Sequence, residues 1–143
     1  MANQLYFEDI QENMELPSLK KHPTTRQLVK WAGASGDFYE AHYDEAFAQK
    51  QGLQGIIVHG LLGLAFMGQM MVDWIGEPHR LKKMGCRYVS MLQPNQDLVC
   101  KGKVTKKYAE GGENCVDCDL WLEDSKGQKA SLGAATVSLP SRA

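Results

Sequence analysis

The spacing of apolar and polar residues predicts a helix near the start of the chain. Thr24 stands at the N-cap position, and Gln27 stands where a capping box places Glu or Gln. The apolar residues that follow recur at the spacing of one helix face. The pattern predicts a helix that ends at Ala34 or Ser35, because glycines mark its exit into a loop.

A second, shorter helix is predicted a few residues later. Asp44 has the position of its N-cap, and the segment ends near Gly52. The loop between the two helices carries Asp37 and His42. Because both ends of this loop join rigid elements, it can hold two reactive side chains in place without covering them.

Residues 60–76 are apolar at almost every position. A helix that is apolar all round is expected to be buried on all sides, so this segment is predicted to be the core of the fold. A membrane span is the competing interpretation. The segment is shorter than the roughly 20 residues that a span requires, and it contains Gln69 and Asp73, so the buried helix is favoured.

The second half of the chain has the alternating pattern of strands. Four strand-like runs are separated by glycine-rich or polar turns, and they cover residues 83–92, 97–105, 115–123 and 129–139. Together they predict an antiparallel meander, with a weaker strand before the helices. This order of elements predicts an α+β fold in which a curved sheet wraps around the long helix.

The composition indicates one domain that spans residues 1–143, since no repeat or linker divides the chain. Sixteen Lys and Arg residues against 17 Asp and Glu residues give a formal net charge of -1. Without a global positive field, neither nucleic acid nor a membrane is expected as a partner. The first residues lack the basic start and apolar run of a secretory signal, so a cytoplasmic location is expected.

The four cysteines are expected to be reduced thiols, because a chain of this size folds without disulfides. Cys115 and Cys118 have the C-x-x-C spacing of some zinc and redox sites. Residues three apart on a strand point to opposite faces, and no second pair lies at metal-site spacing. No metal site is therefore expected.

The residues that carry chemistry cluster between positions 37 and 60. They are the carboxylate of Asp37, the imidazole of His42 and the glycine that opens the long helix, Gly60. Taken alone, Asp37 fits an ordinary turn residue, and His42 is ambiguous. A turn does not require this set at this spacing to Val58-His59-Gly60, so the combination favours adding or removing water beside a thioester carbonyl.

The order of residues within 35–62 resembles the signature of the MaoC-like, (R)-specific enoyl-thioester hydratases and dehydratases, which have the hot-dog fold. The matching positions are Ser35-Gly36-Asp37, His42, Phe47, Ala48 and Val58-His59-Gly60-Leu61-Leu62. The resemblance extends over most of the chain, and it implies a single hot-dog domain with an antiparallel sheet around a central helix.

The resemblance also implies roles for three positions. In that family, the equivalents of Asp37 and His42 form the catalytic pair, and the backbone N–H at the Gly60 position polarises the thioester carbonyl. His42 would then activate water, and Asp37 would serve as acid or proton relay for C2. His59 has no catalytic part in this scheme and is interpreted as a structural residue that bonds the backbone.

Two departures from the family pattern concern the substrate. Tyr39 and Glu40 occupy the positions where many members have Asn-Pro, and Gly68 stands where related enzymes carry a serine. Tyr39 and Gly68 are therefore candidate substrate-binding positions, and Gly68 is expected to make room for a longer acyl chain. Glu40 is interpreted as a surface charge.

The resemblance implies an acyl-CoA or acyl-carrier thioester as substrate and no cofactor. It also implies a homodimer, or a heterodimer with a related hot-dog subunit. A hot-dog thioesterase is an alternative, although such enzymes place a carboxylate on the long helix, which here offers only Gln69 and Asp73. A non-catalytic acyl-binding subunit is the third alternative, and the presence of Asp37, His42 and Gly60 disfavours it.

Overall fold

A long helix lies across a five-stranded antiparallel sheet in the computed structural model, which describes residues 4–142. The helices are α1 (Thr25–Ser35), α2 (Glu45–Lys50) and α3 (Gly60–Ile75). The strands are β1 (Leu19–Lys21), β2 (Leu81–Tyr88), β3 (Leu98–Glu110), β4 (Glu113–Glu123) and β5 (Lys129–Leu139). The predicted α+β architecture, including the short strand before the helices, is confirmed.

The helix boundaries follow the local signals of the sequence. The Thr24 hydroxyl accepts a backbone N–H of the first turn of α1, which ends at Ser35. Gly36 then adopts a φ of 78°, a conformation that glycine reaches without a steric penalty. Asp44 caps α2 by accepting the backbone N–H of Phe47 at 2.9 Å.

The strand order in the sheet is β1-β3-β4-β5-β2. Strands β3, β4 and β5 form the predicted meander, but β2 pairs with β5 at the far edge, so the prediction of one continuous meander is wrong for β2. After Tyr88 the chain crosses from the edge strand β2 to β3, on the other side of β4 and β5. For this reason β2 ends there instead of continuing to Leu92, whereas β3 continues to Glu110, beyond its predicted end.

The core lies between α3 and one face of the sheet. The buried residues of α3 are Leu62, Gly63, Phe66, Met67, Met70, Met71 and Ile75. They pack against inward-facing strand residues that include Leu98, Val104, Leu120 and Leu122. Burial of each large apolar side chain stabilises the fold by about 1.5–3 kcal/mol.

One face of α3 is open, so the prediction that this helix is buried on all sides is wrong for the single chain. Leu61, Ala65, Gln69 and Asp73 recur every four residues and are exposed, with Leu61 55% exposed. A sheet covers only the side of the helix that it faces. Within residues 4–142, no helix combines the length and the apolar character that a membrane crossing needs.

The cysteines are free thiols, as expected, and lie in or beside the core. Cys118 shares the inner face of β4 with Val116 and Leu120, all of them buried. Burial raises the pKa of the Cys100 and Cys118 thiols to about 12. Both thiols are therefore protonated near neutral pH and unsuited to metal binding or redox chemistry.

Candidate active site

The loop after α1 brings Asp37 and His42 to one place. Its first residue, Gly36, turns the chain, and the Asp37 N–H donates to Ser35 Oγ at 3.2 Å. A single turn of 3₁₀ helix over Glu40–His42 then points the chain back toward the core. The His42 side chain is buried, whereas Asp37 is partly exposed, so the pair lies at the boundary between the protein interior and solvent.

The tautomer of His42 follows from its hydrogen bond. Its Nδ1–H donates to the backbone oxygen of Ile57 at 2.7 Å. A carbonyl oxygen only accepts, so in the neutral ring Nδ1 carries the proton and Nε2 holds a lone pair. Nε2 lies 3.9 Å from Oδ2 of Asp37. The arrangement presents a base and a carboxylate side by side.

His59 lies directly behind this pair. It is fully buried, its Nε2–H donates to the backbone oxygen of Asp37 at 3.2 Å, and its ring stacks on His42 with centroids 3.8 Å apart. The backbone bond agrees with the structural interpretation made from the sequence. Burial lowers the pKa of His59, and the neighbouring His42 lowers it further, so this ring is neutral near pH 7.

The segment before α3 is fixed by α2 and by the turn that carries His42. The Glu45 carboxylate accepts the N–H of Ile56 at 3.1 Å, and the N–H of Ile57 donates to the Ala41 carbonyl at 3.0 Å. These bonds hold the Ile57 carbonyl in position to accept the hydrogen bond from His42 Nδ1–H. Sequence reasoning missed Glu45, because its partner lies 11 residues along the chain and outside any helix or strand.

The first turn of α3 approaches the sheet closely at two glycines. A Cβ at Gly60 would lie 2.9 Å from the ring of Tyr88, and one at Gly63 would lie 3.1 Å from Leu122. Tyr88, Ser131 and Leu122 form one row across three strands. The N–H of Gly60 has no partner within the helix, and it stands at the positive end of the helix dipole.

A cavity of about 180 Å³ opens beside this turn. Its walls include the side chains of His42, Tyr88 and Ser131 and the backbone at Gly60. Sequence reasoning missed Tyr88 and Ser131, which reach the site only because β2 pairs with β5. The only local feature that distinguishes Ser131 is that it is a polar residue at a buried position of β5.

The remaining predicted site residues lie at different distances from this cavity. The Tyr39 ring meets His42 edge-on, with centroids 5.8 Å apart, and also packs against Phe47. Gly68 lies two turns further along α3, where an added Cβ would meet only Met84. His42 and Gly60 therefore border the cavity, Asp37 and Tyr39 reach it only through their contacts with His42, and Gly68 lies outside it.

Asp37, His42 and His59 have ligand atoms within 4.8 Å of one another, a spacing at which side chains can share a metal ion. The two rings, however, stack with an interplanar angle of 19°. Lone pairs in nearly parallel ring planes do not converge on one ion at the distances that Zn²⁺ requires. The arrangement suits proton transfer better than metal binding.

The comparisons with known proteins point to one family. The family pattern described as "MaoC like domain" matches residues 9–120. Over 90 residues the chain is 32% identical to the 3-oxo-4,17-pregnadiene-20-carboxyl-CoA hydratase beta subunit of Mycobacterium tuberculosis, which covers 63% of this chain and 70% of that protein. A second relative is the fatty acid synthase beta subunit TOXC of Cochliobolus carbonum, which is 32% identical to this chain over 73 residues. The match covers 50% of this chain and only 4% of that much longer protein.

Solved structures share the fold at lower identity. The R-hydratase PhaJ1 from Pseudomonas aeruginosa has a TM-score of 0.85 and 19% identity, with 97% of this chain and 88% of that chain covered. The ChsH1-ChsH2 complex from Mycobacterium tuberculosis has a TM-score of 0.77 and 22% identity, with 90% and 98% covered. The chain belongs to the MaoC-like dehydratase family and has its hot-dog fold.

Proposed function

We propose that this chain hydrates trans-2-enoyl thioesters to (R)-3-hydroxyacyl thioesters, or catalyses the reverse dehydration. The observation that carries the proposal is the position of the His42 lone pair. It lies 3.9 Å from the Asp37 carboxylate and borders the cavity at the N-terminus of α3. A base, a carboxylate and a helix N-terminus are the groups that adding water next to a thioester carbonyl requires.

The acid–base pair acts on one water molecule. With 3.9 Å between Nε2 and Oδ2, one oxygen atom can hydrogen-bond to both groups. His42 removes a proton as the water oxygen bonds to C3, and the electrons of the C2–C3 double bond move toward the thioester oxygen. The proton then reaches C2 through the Asp37 carboxylate. Dehydration reverses each of these movements.

The negative charge that develops on the thioester oxygen is stabilised at Gly60. The free N–H donates to that oxygen, and the dipole of α3 places its positive end there. Glycine at this position lets the Tyr88 ring pack directly against the N-terminus of α3, because a Cβ would lie 2.9 Å from that ring. The reaction consumes only water, so the proposed mechanism needs neither a cofactor nor a metal.

Tyr39 and Gly68 stay predictions as substrate contacts. Tyr39 supports this role by touching His42 with its ring edge while 47% of the residue is exposed. Gly68 would meet only an acyl chain that continues along α3 toward Met84. The cavity itself has the volume of about six water molecules in the liquid, which suits a short acyl group.

The thioesterase alternative has less support. The polar residues that α3 offers, Gln69 and Asp73, lie on its exposed face and do not border the cavity. A carboxylate there cannot reach a thioester held at Gly60. The non-catalytic alternative is disfavoured because Asp37, His42 and Gly60 lie together with hydrogen-bond geometry that fixes the base.

We also propose that the chain assembles with a second hot-dog subunit, either another copy of itself or a related chain. β2 is an edge strand of the sheet and contacts α3, whose outer face is exposed. Leu61, Tyr88, Val89 and Met91 add large exposed apolar side chains to this region. Such a patch is typical of an interface.

The test of the proposed reaction is the loss of the conjugated enoyl chromophore when purified protein is mixed with crotonyl-CoA. We expect His42→Ala and Asp37→Asn each to lower kcat about 100-fold or more, because general acid–base groups contribute 10²–10⁴-fold. Chiral analysis of the product should give the (R)-3-hydroxyacyl thioester.

The matched controls are His79→Ala and Asp119→Asn, which remove an exposed histidine and an exposed aspartate away from the cavity. Both should keep full activity. Full activity in the His42 and Asp37 variants would refute the mechanism. Release of free thiol from the same substrate without hydration would instead support a thioesterase.

A further inference from the structure

The side chain of His59 contacts both members of the proposed acid–base pair. Its Nε2–H donates to the Asp37 carbonyl at 3.2 Å, and its ring lies nearly parallel to that of His42, with an interplanar angle of 19°. His59 is also the N-cap of α3, so the peptide group after it carries the N–H of Gly60. Three parts of the proposed site therefore meet at this residue.

The loop between α1 and the 3₁₀ turn, which carries Asp37, depends on this contact for its position. Its other hydrogen bonds are local: the Asp37 N–H donates to Ser35 Oγ at 3.2 Å, and the Asp37 carboxylate accepts the Tyr39 N–H at 3.4 Å. Within residues 4–142, the bond from His59 is the one hydrogen bond that joins this loop to the chain beyond α1 and the 3₁₀ turn.

The atoms of the His59 ring indicate why a histidine stands at this position. The residue is fully buried, and within the described residues 4–142 its Nδ1 has no hydrogen-bond partner. A buried polar atom without a partner destabilises a fold, so packing alone would favour an apolar ring here. The group that an apolar ring lacks is the Nε2–H, and its acceptor is the Asp37 carbonyl. The polar ring therefore contributes to the placement of Asp37 more than to packing.

We infer that His59 is a positioning residue, which holds the Asp37 carboxylate beside the His42 base and next to the N-terminus of α3. The inference rests on the proposed hydratase function. His59 itself exchanges no proton with the substrate, because its Nε2–H stays bonded to the carbonyl. Burial lowers the pKa of its ring, so the ring stays neutral while His42 takes up and returns a proton. The effect of His59 on the rate passes through Asp37.

The first test uses His59→Phe, which keeps a flat ring beside His42 and lacks the donor for the Asp37 carbonyl. With crotonyl-CoA we expect kcat to fall about tenfold or more, because a displaced catalytic group loses its contribution to the transition state. KM should change less than about threefold, because the acyl group is still held at the N-terminus of α3. His59→Gln keeps a donor for the carbonyl and should recover most of the lost rate.

A double-mutant cycle tests whether His59 acts through Asp37. In the Asp37→Asn background, adding His59→Phe should lower kcat by less than about twofold, because the group that His59 holds is already inactive. A residue that only supports the fold would lower kcat by the same factor in both backgrounds. Equal losses in the two backgrounds would therefore overturn the inference.

His59→Asn guards against a loss of folding in the phenylalanine variant. Asparagine is a preferred N-cap residue, so it keeps the start of α3. Its amide ends where Nδ1 of a histidine would lie, short of the Asp37 carbonyl, so the same loss of kcat is expected. Urea unfolding identifies the variants that fold. The matched control, His79→Phe, replaces an exposed histidine away from the cavity and should leave kcat unchanged.

The outcomes separate this inference from the proposed function. If the unaltered chain does not hydrate crotonyl-CoA, both fail. If it does, and Asp37→Asn loses activity while folded His59→Phe or His59→Asn keeps full kcat, the positioning role of His59 is refuted and the hydratase function stands.

Discussion

At the scale of single residues, the stacked pair of histidines limits where a proton can reside. His42 and His59 have ring centroids 3.8 Å apart, and two positive charges at that distance repel strongly away from water. Both rings are buried, His59 more completely, and burial lowers the pKa of His59, so it is the one that stays neutral. In the proposed reaction, His42 is therefore the ring that takes up the proton.

The neutral state of His59 predicts a pH dependence of stability. Unfolding returns its pKa to about 6.5, above the value in the folded chain. Below that pH the unfolded chain binds the extra proton, so the free energy of unfolding falls as pH decreases, by up to about 1.4 kcal/mol per pH unit. This loss levels off once the pH passes below the folded pKa.

We expect His59→Gln to remove this component. Urea unfolding of the unaltered chain and of the variant between pH 8 and pH 5 should give curves whose difference shrinks as the pH falls below 6.5. Gln retains a donor for the Asp37 carbonyl, which makes it the conservative replacement. Parallel curves across the whole range would show that His59 does not titrate differently in the two states.

At the scale of secondary structure, the helices could be predicted from the sequence because their signals are local. Thr24 and Asp44 cap helices within three residues of their own positions. The placement of β2 could not be predicted, since its partner β5 starts more than 40 residues later. The residues of β2 themselves do not indicate which strand they pair with. The open face of α3 was missed for a related reason, because apolar composition does not tell which neighbour covers a helix.

The residues of the candidate site also differ in whether local sequence signals could identify them. Asp37, His42 and Gly60 could be named from their spacing and the family resemblance. Tyr88 and Ser131 could not, because they reach the cavity through the pairing of β2 with β5.

This pairing depends on a glycine in β5. A Cβ at Gly133 would lie 2.8 Å from the backbone oxygen of Gly85 in β2, and a backbone atom cannot move aside cheaply. We expect Gly133→Ala to lower the free energy of unfolding by about 1–3 kcal/mol, the usual cost of overpacking.

The matched control is Gly85→Ala on the neighbouring strand, where an added Cβ meets nothing within 4 Å. It should be close to neutral in urea unfolding. Similar losses for both variants would mean that removal of any glycine from these strands is costly, and that the close contact at Gly133 is not the cause.

At the scale of the whole molecule, the open face of α3 and the free edge of β2 predict association. We expect light scattering after size-exclusion chromatography to find the chain paired, either with itself or with a co-expressed related subunit. Ala65→Glu places a charge at the centre of the exposed face. It should weaken pairing about tenfold or more, because an unpaired charge is costly to bury.

Ala46→Glu is the matched control, since it adds the same charge to an exposed position of α2. It should leave association unchanged. A monomeric chain that hydrates enoyl thioesters at full rate without any partner would contradict the proposed assembly.

The groups proposed to be catalytic are oriented by main-chain atoms. The Ile57 carbonyl fixes His42 and the Asp37 carbonyl fixes His59, and in the proposed mechanism the N–H of Gly60 donates to the developing oxyanion. Substitution at position 57 leaves its carbonyl in place, while Ile57 borders both the cavity and the polar groove beside it, which the loop after α2 and the turn between β4 and β5 line. Substrate preference can therefore diverge among relatives, or be redesigned, at this position without disturbing the base. In the proposed mechanism, selectivity and chemistry reside in different atoms of the same residue.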